Sequence, residues 1–221
     1  MGKRVIVVGG GNAGLCAAIS ARENGAEVLL LERGDGELKG GNTSFTAGAM
    51  RVAYDGVDDL LTLMPDLTEQ ELAMTDFGSY PESAFLDDLA RVTEYRTDPD
   101  LAETLVSRSL QTLQWMRSHG VKFAPIYGRQ AFKVDGKFTF WGGLTVEVNG
   151  GGPGLIDFLT REAQRLGVTI EYGARVTDLV IDEPTVSGVV VRQGGRSRTE
   201  RADAVVLACG GFQANAAWRA K

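Results

Sequence analysis

Histidine and cysteine are scarce in this sequence, which has one histidine and two cysteines among 221 residues. No C-x-x-C pair occurs, so a thiol-redox motif of that type is excluded, and the usual ligands of a zinc site are lacking. Cys16 and Cys209 lie in apolar segments far apart along the chain. This placement favours two buried thiols over a disulfide. We therefore expect a cytoplasmic protein with no metal.

Long apolar runs and an excess of positive charge are also lacking. No run approaches the roughly 18 apolar residues that a transmembrane helix needs, and the formal net charge is −6. This balance argues against nucleic acid or an anionic membrane as a partner. Residues 55–103 hold 14 Asp or Glu and 2 Arg, which we interpret as solvated helix faces. His119 follows a predicted helix and is interpreted as a surface or dipole-compensating residue.

Glycine, by contrast, is abundant, and its most informative stretch is VVGGGNAGLCAA at residues 7–18. The β-branched run at residues 5–8 predicts a strand buried on both faces. Gly9, Gly11 and Gly14 then fit G-x-G-x-x-G. The three glycines permit a tight turn, the approach of a pyrophosphate and close packing of the next helix, whose N-terminus favours the anion.

A second apolar strand, residues 27–31, ends at Glu32, which lies 18 residues beyond Gly14. An acid at this distance can accept a hydrogen bond from a ribose 2′-hydroxyl. It also disfavours a 2′-phosphate, so NADP is an unfavourable ligand. Strand, glycine turn, helix, strand and acid within one short unit predict a dinucleotide site.

The rest of the chain departs from strand–helix alternation. Apolar spacing predicts one helix over 83–95 and another from an Asp98 N-cap to Gly120, within a mainly helical excursion. A hairpin with Asp135-Gly136 at its turn follows. Next come a helix over 155–166, four short strands and a closing apolar run. That run, at residues 204–209, predicts a central parallel strand of the sheet that begins at Val5.

The order of these elements separates two dinucleotides. An NAD-binding half continues with strand–helix units after the acid, whereas this chain leaves through GGNTSFTAGA at residues 40–49. It returns through a helix, an antiparallel meander and AVVLACGG at residues 204–211. The arrangement resembles the FAD-binding domain (type 2) of the flavoprotein family of fumarate reductases, succinate dehydrogenases and 3-ketosteroid dehydrogenases. The resemblance implies FAD and a Rossmann-like α/β fold of the second glutathione reductase type, in which a parallel sheet carries an antiparallel β-meander and a helical insertion.

Within this family, LQWMRSHGVKF, FWGG, NGGGPGLID and LACGGFQANAAWRAK resemble the tricarballylate dehydrogenase subgroup. That resemblance implies an oxidoreductase acting on the CH–CH bond of a di- or tricarboxylate, with hydride transfer to or from flavin N5. It also allows for an electron-acceptor protein as a partner. Three alternatives stay open: an oxidoreductase for a steroid or an amino acid, an NAD-dependent lobe, and a non-catalytic nucleotide-binding module.

The resemblance also implies which residues contact the cofactor. Those at the pyrophosphate are Gly9, Gly11, Asn12, Ala13 and Gly14, and those at the adenosine end are Glu32 on the ribose, Arg33 beside the adenine, and Val176 after Arg175. Those beside the pyrophosphate, ribityl chain and isoalloxazine are Gly40, Gly41, Asn42, Thr43, Ser44, Ala47, Gly48 and Ala49. Ala208, Cys209 and Gly210 close the pocket. A surface turn is the alternative for the loop, and core packing is the alternative for Val176 and Cys209.

Two departures from the family pattern change what we expect. Members with covalent flavin have a histidine near the position of Thr43, so we expect noncovalent FAD here. Members are also longer, with a capping domain that supplies the catalytic residues after the point where this sequence ends. We therefore expect an N-terminal fragment whose catalytic residues are unassigned. If it turns over alone, the candidates are Arg51, Tyr127, Arg129 and Lys133.

We expect three segments along this chain. Residues 1–53 begin the FAD-binding domain, residues 54–149 form the helical excursion and the hairpin, and residues 150–221 return to the FAD-binding domain.

Overall fold

The computed structural model describes residues 2–213 and 215–220, apart from the side chain of residue 37. In chain order the elements are β1 (Arg4–Val8), α1 (Asn12–Glu23), β2 (Glu27–Leu31), β3 (Ala49–Met50), α2 (Val57–Leu63), α3 (Glu69–Met74), α4 (Glu82–Val92), α5 (Pro99–Ser107), α6 (Ser109–Ser118), β4 (Phe123–Pro125), α7 (Tyr127–Gln130), β5 (Ala131–Val134), β6 (Lys137–Phe140), β7 (Val146–Val148), α8 (Gly151–Arg165), β8 (Thr169–Glu171), β9 (Arg175–Asp182), β10 (Thr185–Gln193), β11 (Arg196–Arg201), β12 (Ala204–Leu207) and α9 (Ala216–Arg219). Two 3-10 turns, Gly36–Leu38 and Gly41–Phe45, lie between β2 and β3. No helix of the described ranges is long and apolar enough to cross a membrane.

A four-stranded parallel sheet is the centre of the first of two units, which comprises residues 1–46 and 155–221. The strand order is β12-β1-β2-β8, and each neighbouring pair is parallel. Helix α1 packs on β1 and β2, and its Leu15, Ala18 and Ile19 are buried. These positions repeat at helical spacing, so α1 places one apolar face on the sheet.

The antiparallel meander of this unit has the strand order β11-β10-β9. Val189 and Val191 of β10 are buried in one cluster with Ile6 and Val8 of β1. Because alternate residues of a strand point to the same face, the meander covers one face of the parallel sheet. The predicted α/β fold, a parallel sheet with an antiparallel meander, is confirmed.

The closing strand differs from its predicted central place. β12 is parallel to β1, with Val206 opposite Val7, but it stands at the end of the strand order in the described part of the chain. Leu207, the last residue of this strand, is 60% exposed. An apolar run predicts a strand, but the tertiary structure determines which strands lie next to it in the sheet.

The second unit comprises residues 47–154. It contains an antiparallel sheet of order β3-β7-β4, the hairpin β5–β6 and helices α2 to α7. The predicted hairpin is confirmed, since Val134 pairs with Lys137 across a two-residue turn. Asp135 and Gly136 both have positive φ, as a type I′ turn requires.

The helix predicted from Asp98 to Gly120 is two helices. Asp98 caps α5 as expected. The helix is interrupted at Arg108, and α6 begins at the next residue. The buried Ser109 hydroxyl donates to the Val106 carbonyl at 2.8 Å and accepts from the Ala53 N–H at 3.0 Å. Because Ala53 is distant in sequence, helical spacing alone did not reveal this break.

The unit boundaries also differ from the predicted segments. The units divide at 46/47 and 154/155, and not at 53/54 and 149/150. The first boundary comes earlier because β3 pairs with β7 inside the second unit. The second lies within α8, which begins at Gly151 and not at the predicted Leu155.

Candidate functional site

A cleft with a volume of about 1210 Å³ lies at the carboxyl end of the parallel sheet in the first unit. Val8, Leu31 and Leu207 are the last residues of β1, β2 and β12, and all three line it. Ligands of parallel α/β sheets bind outside this edge of the strands. The volume is above the roughly 300–1,000 Å³ of most small-molecule and cofactor pockets, so the cleft has room for a ligand of that class.

The glycine turn between β1 and α1 is packed against neighbouring backbone. Gly9 has a φ of +108°, and a Cβ there would lie 2.4 Å from the Ala208 carbonyl oxygen. A Cβ at Gly14 would lie 1.8 Å from the Gly9 carbonyl oxygen. Neither position can hold a side chain without backbone movement. The first and third glycines of the motif therefore permit the tight turn and the close helix–strand contact.

The loop of residues 40–45 lies against the N-terminus of α1. The Thr43 hydroxyl accepts a hydrogen bond from the Asn12 N–H at 3.1 Å. A Cβ at Gly11 would lie 3.4 Å from that hydroxyl and 3.5 Å from the Gly40 carbonyl oxygen. A side chain at Gly11 would thus narrow the gap between loop and helix. The glycine turn and this loop form a cradle around the N-terminus of α1, where the positive end of the helix dipole favours a phosphate group.

Glu32 lies at the end of β2 and is 6% exposed. Its Oε2 accepts from the Gly10 N–H at 2.5 Å, and its Oε1 accepts from the Gly34 N–H at 2.6 Å. Main-chain groups therefore orient the carboxylate beside the glycine turn. Each carboxylate oxygen has two lone pairs, so each keeps acceptor capacity for a hydroxyl of a ligand.

Most of the predicted cofactor residues line this cleft. They are Gly9, Gly11, Asn12, Ala13, Glu32, Arg33, Gly40, Gly41, Asn42, Thr43, Arg175, Val176, Ala208, Cys209 and Gly210. Gly14 lies beneath the turn, and the Ser44 hydroxyl donates to the Lys39 carbonyl at 2.8 Å. Ala47, Gly48 and Ala49 belong to the second unit, where the Gly48 carbonyl accepts from the Val148 N–H at 2.9 Å.

The segment after β12 also lines the cleft, which sequence reasoning missed. Its lining residues beyond Gly210 are Gly211, Phe212, Asn215, Ala216, Ala217 and Trp218. The available signal was their position, since they directly follow a strand that ends at the cleft. Two aromatic side chains so close to a strand end are candidates for ligand contact.

The two cysteines are both free thiols, but they are not equally enclosed. Cys16 lies on α1, and burial raises the pKa of its thiol to about 12. Cys209 is exposed and lines the cleft. The prediction of a buried thiol at Cys209 was wrong, because the chain beyond the end of β12 places this residue in the wall of the cleft.

Two of the charged candidates, Arg51 and Lys133, have partners within the second unit. Arg51 donates from Nη1 to the Tyr80 hydroxyl at 2.7 Å and to Asp88 Oδ2 at 3.1 Å. Hydrogen bonds from Arg91 and from Tyr80 lower the pKa of the Asp88 carboxyl. The Lys133 ammonium lies over an aromatic ring, 4.8 Å from its centroid.

The Tyr127 hydroxyl is also engaged, 2.8 Å from the Thr75 hydroxyl. The described residues contain no group of three or more His, Cys, Asp or Glu side chains that could hold a metal ion.

Comparison with known proteins gives one family. A model of the FAD binding domain matches residues 4–221. The fumarate reductase (cytochrome) of Shewanella frigidimarina is 30% identical over 213 residues, which are 96% of this chain and 34% of that protein. The vinyl phenol reductase of Lactiplantibacillus plantarum is 28% identical over 216 residues, which are 96% of this chain and 38% of that protein.

Among solved structures, the 3-ketosteroid-Δ4-(5α)-dehydrogenase of Rhodococcus jostii RHA1, in complex with 4-androstene-3,17-dione, superimposes with a TM-score of 0.71. It is 26% identical in sequence, and the match covers 95% of this chain and 46% of that one. This chain thus spans between 34% and 46% of the length of these three relatives. With the glycine cradle, the oriented carboxylate and a cleft of sufficient volume, the residues present fit FAD. The chain belongs to the FAD binding domain family, and FAD is its cofactor.

Proposed function

We propose that this chain is the FAD-binding part of a dehydrogenase or reductase that acts on the CH–CH bond of a di- or tricarboxylate. One observation carries the proposal. The glycine turn, Glu32 and residues 40–43 line a single cleft, and the chain is 30% identical to a fumarate reductase over 96% of its own length. A bound flavin supplies hydride transfer at N5, while the protein binds and orients the cofactor.

The chain's own residues bind and orient under this proposal. The Glu32 carboxylate accepts from a ribose hydroxyl, because its two main-chain donors hold it at the turn. The N-terminus of α1 and the gap at Gly11 hold the pyrophosphate. Asn42 and Thr43 position the loop beside it, and the main chain at Val176 contacts the adenine.

We assign FAD binding to the first unit, and we treat residues 47–154 as an insertion into that unit. The cleft supports this assignment, since every residue that lines it belongs to residues 1–46 or 155–221. The two free thiols support a cytoplasmic location.

We further propose that FAD is held noncovalently, because members with covalent flavin have a histidine near the position of Thr43 and this loop has none. Acid precipitation of flavin-loaded protein is expected to release the yellow colour into the supernatant. Flavin that stays with the pellet would contradict this.

The substrate class is tested on protein purified from the cells that naturally produce it. With an electron-transfer dye, we expect oxidation of tricarballylate or succinate to be faster than that of a saturated 3-ketosteroid. The second candidate is a steroid dehydrogenase, favoured by the TM-score of 0.71 to the Rhodococcus enzyme. Faster turnover of the steroid would select it and reject the carboxylate.

A further inference from the structure

We propose that Phe212 and Trp218 form an aromatic wall of the cleft and stack on a planar ring of bound FAD. The inference rests on the FAD assignment and extends it to two residues to which the family resemblance assigned no role. Both side chains line the cleft. Their ring centroids are 6.1 Å apart, with an interplanar angle of 53°.

The exposure of Phe212 and Trp218 shows that the two rings do not bury each other. Phe212 is 57% exposed and Trp218 is 62% exposed. Tilted aromatic pairs at this distance attract each other, but they leave ring faces open. Open aromatic surface inside a ligand cleft gains free energy when a ligand removes it from water.

Local hydrogen bonds hold the aromatic wall in place. The Asn215 N–H donates to the Phe212 carbonyl at 2.8 Å, and Asn215 Oδ1 accepts from the Trp218 N–H at 3.1 Å. Asn42 Nδ2 donates to Gln213 Oε1 at 3.0 Å, which ties the segment to the loop at the N-terminus of α1. The segment that carries the wall is therefore hydrogen-bonded to the loop that borders the N-terminus of α1.

The chemistry of the cleft lining points to a ring of FAD as the partner. Phe212 and Trp218 are the aromatic members of that lining, whose other side chains are aliphatic, polar or charged, alongside several glycines. FAD carries two planar systems, isoalloxazine and adenine, and flat heterocycles stack on aromatic side chains with little dependence on sequence or substituents. A hydrophobic ligand without a ring would not use the flat faces in this way.

The test compares two exposed tryptophans. Trp218→Leu removes the wall, and Trp218→Phe keeps an aromatic face. Trp141→Leu is the matched control, because Trp141 is 63% exposed, lies 4.8 Å from a phenylalanine ring and belongs to the second unit. FAD and ADP are titrated into each apo-protein by calorimetry, and thermal melts check that each variant folds.

We expect Trp218→Leu to weaken FAD binding roughly tenfold, which corresponds to about 1.4 kcal/mol and lies within the range for a base on an aromatic side chain. Trp218→Phe should recover most of the affinity, and Trp141→Leu should bind like the parent. An equal loss of ADP affinity in Trp218→Leu would identify adenine as the stacked ring. Unchanged ADP affinity would identify isoalloxazine.

Parental FAD affinity in Trp218→Leu would overturn the aromatic wall alone. An equal loss in Trp141→Leu would overturn it as well, since the effect would then not be local. A parent chain that binds no FAD would overturn the cofactor assignment together with this inference.

Discussion

The two units hold their carboxylates in different ways. Glu32 of the first unit is buried, and its two oxygens accept from the main-chain N–H groups of Gly10 and Gly34. Asp88 of the second unit accepts from the side chains of Arg51, Arg91 and Tyr80. The first carboxylate depends on the path of the backbone, and the second depends on side chains that compensate its charge.

This difference explains where a ligand site can form. A carboxylate held by main-chain donors retains part of its acceptor capacity for a ligand. A carboxylate held by two arginines has its charge compensated internally, so it is a structural element. Changes to backbone-controlled positions of the first unit should therefore affect FAD binding, while changes to the second unit should affect local stability.

The largest effect is expected for Gly14→Ala. Its Cβ would lie 1.8 Å from the Gly9 carbonyl oxygen, so the turn must move, which costs about 1–3 kcal/mol of stability. FAD binding should be lost with the turn geometry. Gly128→Ala in the second unit is the control, because a Cβ there meets no atom within 4 Å. Denaturant melts measure the stability of the two variants, and titration measures their FAD affinity. Equal results for Gly14→Ala and Gly128→Ala would contradict the proposed difference between the units.

Glu32→Ala should have the next largest effect. A lost hydrogen bond to a charged group is worth about 1.5–3 kcal/mol, so FAD affinity should fall roughly tenfold to a hundredfold. The matched control is Glu27→Ala, at the opposite end of the same strand, with its side chain 74% exposed. Identical FAD titrations for Glu32→Ala and the parent would show that Glu32 holds the turn but does not contact FAD.

The smallest effect is expected for Asp88→Asn. The hydrogen bonds from Arg91 and Tyr80 lower the pKa of Asp88 in the folded protein. Its contribution to stability is therefore present above the usual carboxyl pKa and is lost as the pH falls through the lower folded value. Because the side chain is 34% exposed, that contribution should be below about 1 kcal/mol.

Thermal melts of parent and Asp88→Asn from neutral to acid pH test this directly. The difference between them should shrink as the pH falls through that window, with FAD affinity at neutral pH unchanged. A large loss of FAD affinity at neutral pH would show that this network belongs to the cofactor site.

Local features of the fold were predictable because neighbouring residues determine them. A β-branched run, three glycines and a helical repeat specify β1, the turn and α1, and two residues with positive φ specify the β5–β6 hairpin. The spacing of Glu32 from the turn placed it at the cleft for the same reason. The roles of individual residues toward FAD remain predictions.

Other features depend on contacts between distant segments, which composition does not report. The break between α5 and α6 involves a hydrogen bond from the Ala53 N–H to Ser109. Leu207 and Cys209 are exposed where the end of β12 and the residues after it line the cleft.

The sequence by itself determined the cofactor class and the local units that hold it, since strand, turn and helix form through interactions within a few residues. Only the tertiary structure decided that residues 40–43, the start of β9 and the segment after β12 line one cleft with the glycine turn. Long-range strand pairing makes this choice, because β12 joins β1 about two hundred residues away from it in the chain. The same strand pairing places Phe212 and Trp218 in the cleft that Val8, the last residue of β1, also lines.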